Sequence, residues 1–206
     1  MTNDNYTLGD WGYFKLLQLV TQGLESERID YALVGGGAVQ ARIIEAFNKY
    51  EKVTAPDVPK LLLRKTKDFD ITTQSNEGDF VYILNLLQLE NEPLSFRPKE
   101  SRRVNLCYSG RGFTPISITL NYQIGSQDFS GLGKKFYDEC ISTAEDLYLV
   151  YNNEDLRIRV ATPECIVASK LTRAGPKDIV DISGLLRILA RYEKNGAKPF
   201  NYGLVK

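Results

Sequence analysis

Apolar residues recur at Trp11, Tyr13, Phe14, Leu16, Leu17, Leu19, Val20 and Leu24, a spacing that predicts an amphipathic helix from Asp10 to about Arg28. The pattern then changes to a short continuous apolar run, Tyr31-Ala32-Leu33-Val34, which reads as a buried strand. Gly35-Gly36-Gly37 follows at once, and Ala38, Val39, Ala41, Ile43, Ile44, Ala46 and Phe47 restore helical spacing. Lys49 to Lys60 is polar and holds Pro56 and Pro59, so it reads as a linker. From Arg64 to Ile71 the period becomes two: Phe69 and Ile71 alternate with polar neighbours, and Thr72-Thr73 extend a predicted strand. Ser75 or Asn76 can cap a helix from Glu77 to about Leu89, which Pro93 and Pro98 break. Alternation over Arg102–Tyr108 and Phe113–Tyr122, with Ser109-Gly110-Arg111-Gly112 between, predicts a hairpin. Gln123 to Lys135 reads as a loop. Leu147–Tyr151 and Leu156–Val160 predict a second hairpin. Thr162-Pro163 opens a helix running to about Arg173, and Lys177 to about Glu193 forms the last one.

Strands and helices are thus mixed along 206 residues, a length suited to one large domain or to a core with a helical appendage. We expect a single α/β (α+β) domain over residues 1–206: an N-terminal helix (1–30), a core (31–135), and a hairpin with C-terminal helices (136–206). Formal net charge is zero, with 26 basic and 26 acidic residues, so no global field steers the chain to nucleic acid or membrane. No apolar run approaches the ~20 residues of a membrane span, and residues 1–5 lack a signal-peptide core. The expectation is a soluble, cytoplasmic protein. Histidine is absent, and the three cysteines (Cys107, Cys140, Cys165) form no C-x-x-C. A structural zinc site and any imidazole-based triad are thereby disfavoured, and the cysteines read as reduced thiols. Catalysis would have to use carboxylates, Lys, Tyr or a metal.

Two stretches carry candidate chemistry. On the strand, Asp68 and Asp70 project to one face, their Cα atoms about 7 Å apart, while Phe69 and Ile71 point to the core. Two neighbouring anions repel, and a hard cation such as Mg²⁺, shared with substrate phosphates, relieves them. The plain alternative is a solvated acidic face. The strand–Gly35-Gly36-Gly37–helix succession offers close backbone approach and a helix N-terminus that favours phosphate. It matches neither a dinucleotide fingerprint, because Gln40 stands at the last glycine position, nor a P-loop. Gly131-Leu132-Gly133-Lys134-Lys135 fails as a P-loop too, since Phe136 replaces the hydroxyl residue, and reads as a flexible loop.

Taken in order, Ala32-Leu33-Val34-Gly35-Gly36-Gly37-Ala38 and Arg64-Lys65-Thr66-Lys67-Asp68-Phe69-Asp70 resemble the nucleotidyltransferase superfamily, in particular its small prokaryotic branches: AbiEii-type toxins and aminoglycoside or lincosamide enzymes. Thr162-Pro163-Glu164, Lys170, Arg173, Lys177-Asp178 and Asp181 resemble the later, helical part of the toxin-like pattern. The resemblance is strong over residues 31–73 and moderate over 156–190. It implies a nucleotidyltransferase-like mixed sheet flanked by helices, and transfer of a nucleoside monophosphate from NTP to a hydroxyl on RNA, protein or a small molecule. Asp68 and Asp70 would be catalytic and would hold Mg²⁺ or Mn²⁺. Gly35, Gly36, Arg64, Lys67 and Lys170 would bind nucleotide. A toxin would imply an antitoxin partner. For Lys170 the alternative is a solvated helix face, and Asp178 and Asp181 can equally pair with Lys177 or Arg173. One departure stands out. The superfamily's third carboxylate belongs on a later strand, and the matching run Ile116-Ser117-Ile118-Thr119-Leu120-Asn121 has no acid. Ser117 or Thr119 takes its place, and the nearest acids in sequence are Glu100 and Asp128. That absence supports a second expectation, a catalytically inactive domain that binds a nucleotide or a partner.

Overall fold

A computed structural model describes residues 6–66, 68–75, 77–90, 94–99, 103–109, 116–124 and 132–205. Among the described residues six α-helices, α1 (Trp11–Ser26), α2 (Gly35–Glu51), α3 (Glu77–Glu90), α4 (Gly133–Ser142), α5 (Pro163–Leu171) and α6 (Pro176–Tyr192), flank one sheet. Its strands are β1 (Tyr31–Val34), β2 (Asp68–Thr73), β3 (Leu94–Lys99), β4 (Arg103–Tyr108), β5 (Ile116–Ile124), β6 (Glu145–Tyr151) and β7 (Glu154–Val160). They lie in the order β3-β4-β5-β2-β1-β7-β6. The sheet is mixed: β2 runs parallel to β5 and antiparallel to β1, while β1 runs parallel to β7. The expected mixed sheet with flanking helices is therefore what the chain forms, and both predicted hairpins pair antiparallel, β4 with β5 and β6 with β7.

The apolar stripe of α1 is buried as its spacing requires: Tyr13, Phe14, Leu16, Leu17, Val20 and Leu24 are all inside. In β2 the alternation holds, with Phe69 and Ile71 buried and Asp68 and Asp70 half-buried. Because β2 lies between β1 and β5, the acidic positions sit near the middle of the sheet rather than on an edge.

Two elements differ from the sequence reading. Residues 94–99 form β3 despite Pro98, paired only to β4. An edge strand tolerates proline because one of its sides needs no N–H donor. The predicted loop at 123–135 is shorter than expected, since β5 continues to Ile124 and α4 begins at Gly133. Tyr137, Cys140 and Ile141 provide the apolar face that holds α4 down. The turn at 110–112, Glu100 and Asp128 lie outside the described residues. All three cysteines are free. The neighbouring Cys140 thiol, outweighing burial, brings the Cys165 thiol down to about 6. Among the described residues no helix is long and apolar enough to cross a membrane.

Candidate active site

The glycine turn and the acidic strand meet. Antiparallel pairing of β1 with β2 sets Val34 opposite Asp70, so the first residue of the turn lies beside that carboxylate. Gly35 has φ +67°, and a Cβ built there would lie 2.1 Å from Asp70 Oδ2. Only glycine fits both the backbone conformation and the contact. Gly36 faces the residues that precede β2: a Cβ there would lie 2.9 Å from Arg64 Nη2 and 3.6 Å from Thr66 Oγ1. Sequence-remote stretches thus converge on the N-terminus of α2, where unpaired N–H groups and the helix dipole favour an anion.

Asp68 is held from several sides. The Thr66 hydroxyl donates to Asp68 Oδ1 at 2.6 Å, and the Tyr13 phenol donates to the Asp68 backbone oxygen at 3.0 Å. Tyr13 is wholly buried and its ring lies 4.4 Å from that of Phe69. Burial first, then the field of Asp68 and Asp70, pushes this phenol well above its ordinary range, so it stays a donor. Gln40, the residue that spoils the dinucleotide fingerprint, is buried and works as a brace. It accepts from the Leu8 N–H at 2.7 Å and donates to the Arg64 carbonyl at 2.9 Å.

Two of the three basic candidates have acidic partners within the protein. Arg64 flanks Gly36 but its guanidinium forks onto Asp181, with Nε and Nη2 donating at 2.7 and 2.8 Å. Lys170 is not on a solvated face: it is 1 % exposed and donates to Asp181 at 2.6 Å, with Asp178 at 3.5 Å. It reaches the turn only through Asp181 and Arg64. Asp178 does pair with Arg173, at 3.0 Å, but Asp181 pairs with neither Lys177 nor Arg173. Burial raises the Asp181 carboxyl, and hydrogen bonds from Arg64 and Lys170 more than reverse this, leaving it below the usual range. Lys67 lies outside the described residues. In the sequence Thr66 stands out only as part of the motif, and the spacing of Tyr13 predicts a residue in the core. Its ring does lie there, but its hydroxyl serves the acidic strand, a role that apolar periodicity cannot reveal.

The donor set suits a hard cation. Asp68 and Asp70 offer carboxylate oxygens on one face, the chemistry Mg²⁺ and Mn²⁺ accept. Among the described residues no group of three or more His, Cys, Asp or Glu could hold a metal ion, and what those residues bring here is a pair of acids. Parallel pairing of β2 with β5 sets Thr119, one of the two positions expected to replace a third acid, beside Asp68, and the neutral Asn121 beside Asp70; Ser117 precedes this pairing and lies opposite Cys107 on β4.

This architecture has solved counterparts. An antigenic nucleotidyltransferase-like protein from Paracoccidioides brasiliensis superposes with a TM-score of 0.52 at 18 % identity, over 92 % of this chain and 94 % of its own. ANT(2'')-Ia in complex with adenylyl-2''-tobramycin superposes with a TM-score of 0.51 at 12 % identity, over 90 % of this chain and 94 % of its own. The fold is therefore that of nucleotidyltransferase-like proteins. No protein-family model and no curated protein matches the sequence.

Proposed function

We propose that the chain is a divalent-metal-dependent nucleotidyltransferase that moves a nucleoside monophosphate from NTP to a hydroxyl acceptor. The observation that carries this reading is the contact of the Gly35 turn with the Asp70 carboxylate, which puts a phosphate-favouring helix start against a cation-favouring acid pair. In this reading Asp68 and Asp70 hold Mg²⁺ or Mn²⁺. Once bound, the ion neutralises phosphate charge and orients the leaving group. Gly35 and Gly36 let the triphosphate approach the backbone, and the N–H groups at the start of α2 hold it. Arg64, kept beside Gly36, contributes positive charge there. Lys67 and Lys170 remain candidates for phosphate neutralisation, Lys170 acting through Asp181 and Arg64.

Acceptor classes are RNA, a protein or a small molecule. A small hydroxylated acceptor draws support from the ANT(2'')-Ia complex, whose ligand is an adenylylated tobramycin. The absence of surplus positive charge gives no support to RNA. We extend the proposal to an AbiEii-like, cytoplasmic toxin restrained by an antitoxin protein, for which growth arrest on expression, relieved by Asp68→Ala, is the test. The central experiment is transfer of label from α-³²P-NTPs with Mg²⁺ or Mn²⁺. Label transfer by the wild type that Asp70→Asn abolishes is the expected result, and metal-independent or mutant-insensitive transfer would refute it. A second reading, a nucleotide- or partner-binding domain without catalysis, is favoured by the neutral Thr119 and Asn121 positions. It predicts nucleotide-induced thermal stabilisation without transfer.

A further inference from the structure

We propose that Thr66 is a positioning residue that fixes the Asp68 carboxylate for cation binding; the inference rests on the cation-and-triphosphate reading above. Its hydroxyl donates to Asp68 Oδ1 at 2.6 Å and is 3.4 Å from the Asp68 backbone oxygen, so the carboxylate takes the proton. A hydroxyl bonded to an ionised carboxylate makes a short, charge-assisted bond, stronger than one between neutral groups. One oxygen is thereby engaged, and in this reading Oδ2 is the oxygen that would take the cation. Without that bond, an Asp side chain beside a second anion has reason to rotate away.

The surroundings make Thr66 a firm anchor. It is 5 % exposed, so water competes little for its hydroxyl. Its backbone is clamped by Tyr6 through a reciprocal pair, Tyr6 N–H to the Thr66 oxygen at 2.7 Å and Thr66 N–H to the Tyr6 oxygen at 2.8 Å. Gln40 braces the same loop at Arg64, and Tyr13 holds the Asp68 carbonyl. The chain before α1 and a residue of α2 therefore fix the loop that aims the acid. Thr66 Oγ1 also lies 3.6 Å from where a Gly36 Cβ would stand, so the same hydroxyl registers the acid against the turn. It touches neither cation nor nucleotide in this account. Its effect passes through Asp68.

Thr66→Val keeps the shape and deletes the donor, Thr66→Ser restores the donor, and Thr66→Ala serves if Val does not pack. Binding of Mn²⁺, alone and with α,β-methylene-ATP, is followed by electron paramagnetic resonance. Crystal structures of each variant give the Asp68 rotamer. Deleting the hydroxyl is expected to rotate Asp68 and weaken Mn²⁺ binding by about 10- to 100-fold, with Ser recovering most of it. An unmoved Asp68, or a loss below about threefold, overturns the proposal. If the wild type binds no Mn²⁺, the transferase reading falls, and the rotamer alone then decides the role of Thr66.

Discussion

Single atoms decide the geometry of this site. Gly35 is the sharpest case, because φ +67° disfavours any side chain and an added Cβ would stand 2.1 Å from Asp70 Oδ2. Gly35→Ala should cost stability beyond about 1 kcal/mol, since alanine is strained at positive φ, and should displace Asp70. Urea denaturation and Mn²⁺ titration would show both effects together. Tyr13→Phe removes one hydrogen bond to the Asp68 carbonyl and keeps the ring against Phe69. A loss of about 0.5–1.5 kcal/mol in urea denaturation is expected, with the aromatic packing intact. The pair Asp68/Asp70 and the glycines were legible beforehand because period-two alternation and a glycine run are local signals. The hydroxyls of Tyr13 and Thr66 were not, because their partners depend on how distant segments dock.

At the level of elements, the same division holds. The helices α1 and α2 and both hairpins could be read from periodicity, whereas β3 was hidden by Pro98 and α4 by its glycine-rich start. What joins α5 and α6 to the site is also non-local: Asp181 on α6 receives Lys170 from α5 and Arg64 from the loop before β2. Asp181→Ala strands a buried ammonium and frees the guanidinium beside Gly36, so a loss of about 3–5 kcal/mol is expected. The charge itself makes this contribution depend on pH. The folded Asp181 carboxyl lies below its ordinary value, so its stabilisation is complete above the unfolded value of about 4 and is lost as pH falls through the folded one. Urea melts of wild type and Asp181→Asn should differ by a constant amount from neutral pH down to about 4, and converge in more acidic solution. A difference unchanged down to pH 2 would mean that the carboxylate's charge is not what stabilises the cluster.

Across the whole molecule, strand order is the feature that sequence could least supply. Adjacent predicted strands suggested hairpins, but nothing local required β7 to pair with β1, at Leu33 and Val160, or β2 to lie beside β5. That arrangement needs something to bind the helix after the glycine turn to the far side of the sheet, and Arg42 does so. From α2 it donates to the Ala161 oxygen at 3.2 and 2.7 Å, to the Val160 oxygen at 3.1 Å and to Glu145 at 2.6 Å. The Arg42 side chain is 7 % exposed, so its carbonyl partners have little access to substitute water. Arg42→Met fills similar space but removes the buried donors to the Ala161 and Val160 carbonyls, at a cost of about 3 kcal/mol. For a chain of this size that corresponds to a fall in Tm of roughly 6–12 °C. The hydrogen bonds of Arg42 go to Val160, Ala161 and Glu145 and not to Asp68, Asp70 or the glycine turn, so Mn²⁺ affinity measured well below the transition should stay within about twofold of wild type. A variant that melts early yet binds normally would show that Arg42 holds the sheet together while the loop before β2 aims the acids. Equal losses in both would mean that the position of the glycine turn is transmitted along α2 from this distant anchor.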